Sequence, residues 1–460
     1  MKKVRIGSGA GYAGDRIEPA VELMEKGDLD YIIFECLAER TVAIGQQDKE
    51  TDPEKGYNRL LEYRMEYILP AMVKNRVRVI TNMGAANPKS AAEITAAIAA
   101  GMGISGIKIA YVTGDDITEK LSAYEDCRVL EKDCRLGDMK GSLISANVYM
   151  GAEGIIRALE EGADLIITGR VSDPALTIAP LVYEFGWCAE KNPEQMGQAV
   201  LAGHLLECAG HVTGGYYADP GYKEVPALER LGFPLIEIGE DGSFFVTKVE
   251  GSGGLVSVDT CKEQMIYEIH NPKAYMTPDA AADFSRVVFT QAGRDRVKAE
   301  CATSHGRPDT LKVSIGYKDG FIGEGEISYG GTNCMARAEL AADIVKKRIE
   351  LTGIDLQECR IDYIGYNSLY GDSIAEYITE GMEIKKKSSI PVIPEVRLRI
   401  SGRAKTRRQA ERLVDEIETL YTNGPAGGGG VTKQVTEVVA VCSIFVPRED
   451  VVFRVDYLEV

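Results

Sequence analysis

The sequence predicts an α/β protein in which a doubly wound parallel sheet forms the N-terminal domain and a second domain is α+β. Short apolar runs alternate with amphipathic helical stretches through the first 270 residues, as in consecutive βαβ units. After "HNPKAYMTPDAAADF" (270–284) the pattern changes to alternating strands with one or two helices. A length of 460 residues also exceeds what one typical core supports, so two domains are expected.

The N-terminal domain is predicted to span residues 1–278 and to carry the active site. Its helical stretches include "DRIEPAVELMEKG" and "AEGIIRALEEGA". Helix crossovers cover both faces of a parallel sheet, so its strands read as nearly continuous apolar runs. The strand candidates, in order, are "KKVRIG", "LDYIIFE", "RVRVITN", "ISGIKIAYV", "GSLISANVY" and "ADLIITG".

The second domain is predicted to span residues 279–460 and to contain two β-helix-β units. The first unit runs from "TLKVSIGY" and "GFIGEGEISYGG" through a helix to "CRIDYIGYN". The second runs from "PEVRLRISGRA" through a helix to "VTEVVAVCSIFVPRED" and "VVFRVDYLEV". The two units share a pattern of strands and helices, and α+β packing follows from it.

Charge and cysteine usage exclude several classes of function. The formal net charge is −17, whereas nucleic acids and anionic membranes select basic patches, so neither is expected as a partner. The ten cysteines form no C-x-x-C pair, which argues against iron–sulfur and structural zinc sites. No apolar run approaches the length of a membrane span, and the chain does not open with a signal peptide. We therefore expect a cytoplasmic protein whose cysteine thiols are reduced.

The stretch "GSGAGYAGDR" (7–16) follows an apolar strand and is rich in glycine. It departs from the dinucleotide fingerprint because Tyr12 stands where G-x-G-x-x-G needs glycine, and no P-loop motif occurs in the chain. We therefore identify no nucleotide cofactor. Backbone N–H groups of Gly9, Ala10 and Gly11 could bind a carboxylate or phosphate, and a tight turn without a ligand is the alternative.

Further glycine-rich loops are expected to join this one around a pocket. "TNMGAANP" (81–88) follows a strand and offers Gly84 and Ala85, while "VTGGYYADPG" (212–221) offers Thr213, Gly214 and Gly215. Ligands of open α/β sheets bind outside the carboxyl ends of the strands, where such loops collect. We interpret these residues as substrate-binding.

Glu35 and Asn82 each stand at the end of an apolar strand. A carboxylate in that place is partly removed from water, so Glu35 is a candidate general acid or base, with a salt bridge to Arg40 as the alternative. Asn82 is a candidate for stabilising an oxyanion. Asn87, directly before Pro88, is instead the natural cap of the next helix.

"TGRVSDPAL" (168–176) brings Arg170 and Asp173 close together after another apolar strand. Arg170 could bind a substrate carboxylate through two parallel hydrogen bonds. Asp173 is either a catalytic residue or a helix cap before proline. Asp219, also before a proline, carries the same two interpretations.

Two of the four histidines, His204 and His211, flank Glu207. His204 and Glu207 are one helical turn apart, so they can share a helix face. The spacing differs from the H-E-x-x-H zinc motif, and it does not support a divalent metal here. We assign no metal ligand.

As an ordered series, the motifs resemble the acyclic terpene utilisation family, the AtuA-like proteins. They are "GSGAGYAGDRIEPAV", "FECLAERT", "NMGAANP", "TGRVSDPAL", "TGGYYADPG" and "NGPAGGGG", and the match runs from residue 6 to about residue 448. The resemblance implies catabolism of branched or carboxylated acids, as free acids or as coenzyme A thioesters. Some members carry a C-terminal extension, so a small companion protein is an expected partner.

Two hypotheses about function follow. The preferred one is a lyase or hydro-lyase acting on a small branched carboxylic acid or its coenzyme A thioester, because removing water needs an acid–base group and a stabilised enolate. Glu35 or Asp173 would transfer the proton, Asn82 would stabilise the oxyanion and Arg170 would bind the carboxylate. The alternative is a non-catalytic subunit that binds the acid or acyl-CoA and organises a partner enzyme. A homo-oligomer is expected in either case.

Overall fold

The computed structural model describes residues 2–139, 141–385 and 394–460. It is a mixed α/β structure with several sheets, which confirms the predicted class. The strands are β1 (Lys3–Ala10), β2 (Tyr31–Phe34), β3 (Arg78–Thr81), β4 (Lys108–Thr113), β5 (Leu143–Val148), β6 (Leu165–Thr168), β7 (Pro234–Gly239), β8 (Phe244–Lys248), β9 (Tyr275–Met276), β10 (Ala281–Asp283), β11 (Val288–Gly293), β12 (Arg296–Glu300), β13 (Thr303–Ser304), β14 (Thr310–Gly330), β15 (Glu358–Ile364), β16 (Glu395–Ala404), β17 (Gly428–Pro447) and β18 (Arg454–Glu459).

The helices lie between these strands. They are α1 (Glu18–Lys26), α2 (Glu39–Thr51), α3 (Leu61–Asn75), α4 (Pro88–Gly101), α5 (Glu153–Glu160), α6 (Ala175–Phe185), α7 (Pro193–Glu207), α8 (Val258–Ile266), α9 (Cys334–Thr352), α10 (Asp372–Lys385), α11 (Arg407–Glu418) and α12 (Leu420–Asn423). Within the described residues, none of them is both long and apolar enough to cross a membrane.

The largest sheet is mixed, so the expectation of a wholly parallel sheet is wrong at its edges. Its strand order is β11-β12-β8-β7-β1-β2-β3-β6-β4-β18. The five strands from β1 to β4 in this order pair in parallel. Antiparallel strands extend the sheet on both sides, with β7 joining β1 and β18 joining β4. They cover edges that would otherwise present unpaired backbone groups.

Helices pack in two groups beside the parallel strands. In one group α3 contacts both α1 and α4, and in the other α6 contacts both α5 and α7. The first group and the sheet share a core of buried aliphatic side chains that includes Ile32, Met65 and Ile167. The four-residue strands β2, β3 and β6 are short, and β2 is buried along its whole length, as expected for strands covered on both faces.

Compactness divides the chain into one unit of residues Met1–Tyr317 with Val441–Val460 and another of Lys318–Ala440. This division differs from the boundary between residues 278 and 279 that the sequence predicts. Strands β11 and β12 extend the large sheet of the first unit through β8, and β18 closes its other edge. Through these pairings, segments that the sequence analysis assigns to the second domain belong to the first unit.

The strand "GSLISANVY" also lies outside the large sheet. As β5 it pairs antiparallel with the first part of β14, Val313 opposite Val148 and Tyr317 opposite Leu143. The strand β14 is 21 residues long, where the sequence predicts two separate strands. Gly320, with a φ of +81°, lies within it, in a backbone conformation that glycine adopts without a steric cost.

The smaller unit has strands and helices in the order β14, α9, β15, α10, β16, α11, α12 and β17. Its strands lie in the order β15-β16-β14-β17, and α9 and α11 pack on β16. Leu398, Leu413 and Val345 belong to the shared core. Apart from α10 and α12, this is the β-α-β-β-α-β arrangement of ferredoxin-like sandwiches.

Candidate active site

The carboxyl ends of three adjacent parallel strands bring together the main candidates. Glu35 directly follows β2, Asn82 directly follows β3, and Arg170 lies two residues beyond β6. In register, Phe34 lies opposite Thr81, and Thr81 lies opposite Ile167. The polar side chains therefore leave the sheet at the same edge, as the sequence predicts.

A network of short hydrogen bonds holds Glu35 in place. The Asn82 amide donates from Nδ2 to Glu35 Oε1 at 2.9 Å, and the backbone N–H of Leu37 donates to the same oxygen at 2.9 Å. The Asn82 Oδ1 accepts from the backbone N–H of Cys36 at 2.7 Å. Asn82 is fully buried while Glu35 is partly exposed, so Asn82 orients a carboxyl that solvent or a substrate can reach.

Both terminal nitrogens of the Arg170 guanidinium face groups of the chain, whereas its buried Nε has no hydrogen-bond partner among the described residues. Its Nη1 donates to the backbone oxygen of Leu37 at 2.8 Å and to Asp173 Oδ1 at 2.7 Å, while Nη2 lies 3.5 Å from Glu39 Oε1. Only 2% of the side chain is exposed. These contacts hold Asp173 and the loop after β2 in place, and binding of a substrate carboxylate by Arg170 stays a prediction.

Asp173 accepts a second hydrogen bond from Tyr149. The Tyr149 hydroxyl donates to Oδ2 at 3.1 Å, and the ring lies under the Arg170 guanidinium, 4.5 Å from centroid to Cζ. Burial and then the charge of Asp173 raise the pKa of Tyr149 well above its usual value, so the phenol stays protonated and donates. Helix α6 begins at Ala175 without a side-chain cap, so Asp173 is not the predicted helix cap.

The environment keeps Glu35 protonated at neutral pH. Burial and the nearby charge of Asp173 raise its pKa to about 8, against the lowering effects of the Leu37 N–H, Asn82 and Arg170. A carboxyl tuned to this range can donate a proton at physiological pH. This is the chemical property that a general acid needs.

His204 and Glu207 share one face of α7, as the spacing predicts. His204 Nδ1 lies 2.7 Å from Glu207 Oε1, and Nε2 lies 3.2 Å from the backbone oxygen of Met265. Because Nε2 faces a carbonyl, it carries a proton, and the second proton of the pair lies between Nδ1 and Glu207. Glu207 Oε2 is buried and has no hydrogen-bond partner among the described residues.

Electrostatics link this pair to the cluster at Glu35. Burial raises the pKa of Glu207, His204 lowers it, and the charge of Asp173 raises it further. Asp173 thus lies within electrostatic range of both Glu35 and Glu207. Tyr275 belongs to the same cluster, because burial and then the charge of Glu207 raise its pKa well above the usual value.

The glycines of the first loop serve close packing rather than an exposed turn. Strand β1 continues to Ala10, so the predicted loop from residue 7 begins only at Gly11. A Cβ on Gly9 would lie 2.5 Å from the Phe34 ring, and one on Gly11 would lie 2.4 Å from the Cys208 carbonyl carbon. The N–H of Gly11 donates to Asp15 Oδ2 at 2.9 Å, so the anion at this loop is the chain's own aspartate.

The other predicted loops also use their polar groups internally. Gly84 is buried against the backbone oxygen of Thr168, and Ala85 adopts a φ of +46° in the turn before α4. Thr213 donates to the backbone oxygen of Gly232 at 2.7 Å. The N–H groups of Gly214 and Gly215 donate to the backbone oxygens of His211 and Gly210. The Thr213, Gly214 and Gly215 donors are thus used within the chain, and a substrate-binding role for these loops stays a prediction.

Asp219 lies apart from these groups in its contacts. It is exposed, and its backbone pairs with Lys223 in a local turn.

His211 stacks on Tyr216 and contacts Tyr267 edge-on. Among residues 2–139, 141–385 and 394–460, no group of three or more His, Cys, Asp and Glu side chains is arranged to hold a metal.

Sequence analysis did not identify several residues of this cluster. Asp115 lies two residues beyond β4, as Arg170 lies two residues beyond β6, and its Oδ2 accepts from the N–H of Arg170 at 3.0 Å, so the end-of-strand rule could have found it. Glu39 lies between Arg170 and Lys312. Although burial opposes it, the charge of Arg170 holds the pKa of Glu39 at about 2. No comparable sequence pattern identifies Tyr149.

Comparison with curated proteins and with solved structures finds no match. The family model described as acyclic terpene utilisation family protein AtuA matches residues 4–457. The match covers nearly the whole chain and agrees with the order of motifs in the sequence. The chain therefore belongs to the acyclic terpene utilisation family, AtuA.

Proposed function

We propose that this protein is a lyase of the hydro-lyase type that acts on a small branched carboxylic acid or on its coenzyme A thioester. The observation that carries the proposal is Glu35, a partly exposed carboxyl with a pKa near 8 at the carboxyl ends of the parallel strands. The family's link to terpene utilisation supports a branched acid as substrate. A cytoplasmic location belongs to the same proposal.

The proposed reaction divides the proton transfers between two carboxyl groups. Glu207 takes the proton from the carbon next to the substrate's carboxyl carbon through Oε2, a buried oxygen with no hydrogen-bond partner among the described residues, so the reaction requires that binding bring this carbon to the oxygen. The bond from the neighbouring carbon to its hydroxyl then breaks, and Glu35 gives its proton to the departing oxygen. The products are an unsaturated acid and water, and hydration is the reverse.

Three other groups position this pair. Asn82 holds Glu35, and His204 shares a proton with Glu207, so that the carboxyl of Glu207 can cycle between its two states. Asp173, held by Arg170 and Tyr149, adds the negative charge that keeps Glu35 protonated. Asn82 and Arg170 are thus assigned positioning roles rather than contacts with substrate.

The experiment is a screen in deuterated water. Branched 3-hydroxy acids, their unsaturated counterparts and their thioesters are incubated with the protein, and mass spectrometry records gain or loss of water and deuterium at carbon. We expect turnover by the wild type and a loss of about 10²- to 10⁴-fold in Glu35→Gln. Glu25→Gln, which removes a surface carboxyl paired with Lys74, should retain full activity.

Two outcomes would contradict the proposal. Undiminished turnover by a folded Glu35→Gln protein would remove Glu35 from the chemistry. Wild-type protein that binds an acid or thioester, seen as a rise in melting temperature, but converts none of them would favour the non-catalytic subunit.

A further inference from the structure

A cleft in the larger unit, separate from the Glu35 cluster in the residues that line it, has the composition of an anion site. Its volume is about 550 Å³, and Lys248, Arg230 and Arg294 line it with the glycine-rich segment 249–254. Three cationic side chains face two acidic ones, Glu250 and Asp295, in a chain whose net charge is −17. Local positive charge in such an acidic protein indicates an anionic ligand.

Lys248 is the buried centre of this cleft. Only 4% of its side chain is exposed, and Nζ donates to the backbone oxygen of Ser252 at 2.8 Å and lies 3.3 Å from Asp295 Oδ2. An ammonium group has three protons to donate, and these two partners account for two. Asp295 is itself shared, because its Oδ1 accepts from the N–H of Val256 at 3.0 Å. A third acceptor would form a hydrogen bond with the remaining N–H of the Lys248 ammonium group.

The two arginines are poorly compensated and free to turn toward a ligand. The side chain of Arg294 is 94% exposed and that of Arg230 is 70% exposed. Among the described residues, the carboxylates that pair with them belong to the next or preceding residue, at 3.8 Å for Arg294 and 4.0 Å for Arg230, which is beyond hydrogen-bond length. Guanidinium groups in this state suit bidentate binding of phosphate.

The backbone of the segment requires glycine at several positions. Gly251 and Gly254 have φ values of +80° and +92°, and Gly253 packs against the chain itself, since a Cβ there would lie 2.1 Å from the backbone oxygen of Ala227. Ala227 and Asp295, which are not glycines, also adopt positive φ. Strained backbone of this kind is held by its surroundings and concentrates at ligand sites.

We propose that this cleft binds the phosphate groups of a phosphorylated small molecule, held by Lys248, Arg230 and Arg294. Two sources share that chemistry. One is the phosphorylated nucleotide part of a coenzyme A thioester, which rests on the proposed function, and the other is free inorganic phosphate or pyrophosphate. A cleft of this volume accommodates either.

The test is isothermal titration calorimetry of the full chain with inorganic pyrophosphate at low salt. We expect the double variant Arg230→Gln, Arg294→Gln to bind about 10- to 100-fold more weakly, because two charge-assisted hydrogen bonds are lost. The matched control is Arg59→Gln, Arg135→Gln, which removes two exposed arginines that pair with Asp48 and Asp126, and it should bind as the wild type does.

Absence of pyrophosphate binding, or equal weakening in the two double variants, would overturn the proposal. Titration with coenzyme A and with adenosine 3′,5′-bisphosphate then identifies the source. Tighter binding than pyrophosphate, lost in the double variant, assigns the nucleotide, whereas equal or weaker binding assigns the free anion. The Glu35→Gln protein should bind pyrophosphate normally, so a failure here is separable from a failure of the proposed chemistry.

Discussion

At the scale of single residues, the neighbours of Glu35 shift its pKa in opposite directions. Burial and Asp173 raise its pKa, while Asn82 and Arg170 lower it. The free energies involved are large, since one unit of pKa corresponds to about 1.4 kcal/mol between the two protonation states. A change at either neighbour should therefore move the pH range in which Glu35 can donate.

Asp173→Asn should shift that range to lower pH. The substitution removes the negative charge that raises the pKa of Glu35 and leaves the positive charge of Arg170 in place. The pH above which turnover falls should drop below the value near 8 that the pKa of Glu35 predicts for the wild type. The measurement is the pH dependence of kcat/KM on an acid found in the labelling screen, and an unchanged or raised limit would contradict the assignment.

The end-of-strand rule identified Glu35, Asn82 and Arg170 from the sequence, because a polar residue directly after a buried run is costly unless it is used. It could not assign their partners. Asp173 resembles a helix cap in sequence, and only the fold places Tyr149 against it. The pairing of Arg170 with Glu39 likewise depends on how the loop after β2 lies beside the loop after β6.

At the scale of elements, the opening glycines tie β1 to its neighbours. Gly11 follows β1 and lies against the backbone of Cys208, next to Ala209 with its φ of +40°. Below the same loop, the fully buried Arg64 donates from Nη2 to the backbone oxygen of Asp15 and from Nη1 to the Cys36 sulfur. The loop is thus held from two sides, which makes its path intolerant of added atoms.

Gly11→Ala tests this packing. The new methyl group would fall 2.4 Å from the Cys208 carbonyl carbon, a backbone atom that cannot rotate away, so we expect a loss of about 1–3 kcal/mol in the free energy of unfolding. Gly101→Ala is the control: it lies at the end of α4, where no other part of the described chain beyond its sequence neighbours and its own helix backbone comes within 4 Å of the new Cβ. Urea denaturation compares the two, and equal stabilities would contradict the packing argument.

The strand pattern of the sequence predicted β1, β2, β3, β4 and β6 but not all of their neighbours. β18 pairs with β4 from the far end of the chain, and β5 leaves the parallel set to pair with β14. Periodicity reports which face of a strand is buried and contains no information on distant pairing. The sequence predicts a loop at the glycine-rich end of β1, because the close contact of Gly9 with Phe34 is a tertiary feature that the sequence does not show.

At the scale of the whole molecule, buried acids make stability depend on pH. Burial is the first cause that raises the pKa of Glu35 to about 8, of Asp279 to about 7 and of Asp115 to about 6. Each is protonated in the folded state where the unfolded chain is ionised. Burial lowers the pKa of His204, but Glu207 and the backbone groups of Met265 and Gln264 together raise it, so its contribution is likewise lost as pH rises.

The free energy of unfolding should accordingly fall between pH 5.5 and pH 7.5. Unfolding releases protons throughout this range, so the slope with pH is negative, and the expected loss is roughly 3–5 kcal/mol. Glu39 makes the free energy of unfolding increase with pH, but only at lower pH, because its pKa in the folded protein is about 2. Urea denaturation at both pH values checks this; Glu35→Gln should show a smaller decrease, and stability that rises with pH would contradict it.

The most direct measurement is the titration of Glu35 itself in the wild-type protein. Infrared difference spectra record the carbonyl stretch of protonated carboxylic acids as pH is raised, and subtracting Glu35→Gln isolates the signal of this residue. A midpoint near 8 is the predicted result, and it would establish a proton donor at the carboxyl ends of the parallel strands. A midpoint near the ordinary glutamate value of 4.5 would contradict the account, because Glu35 would then be ionised at neutral pH with no proton to give.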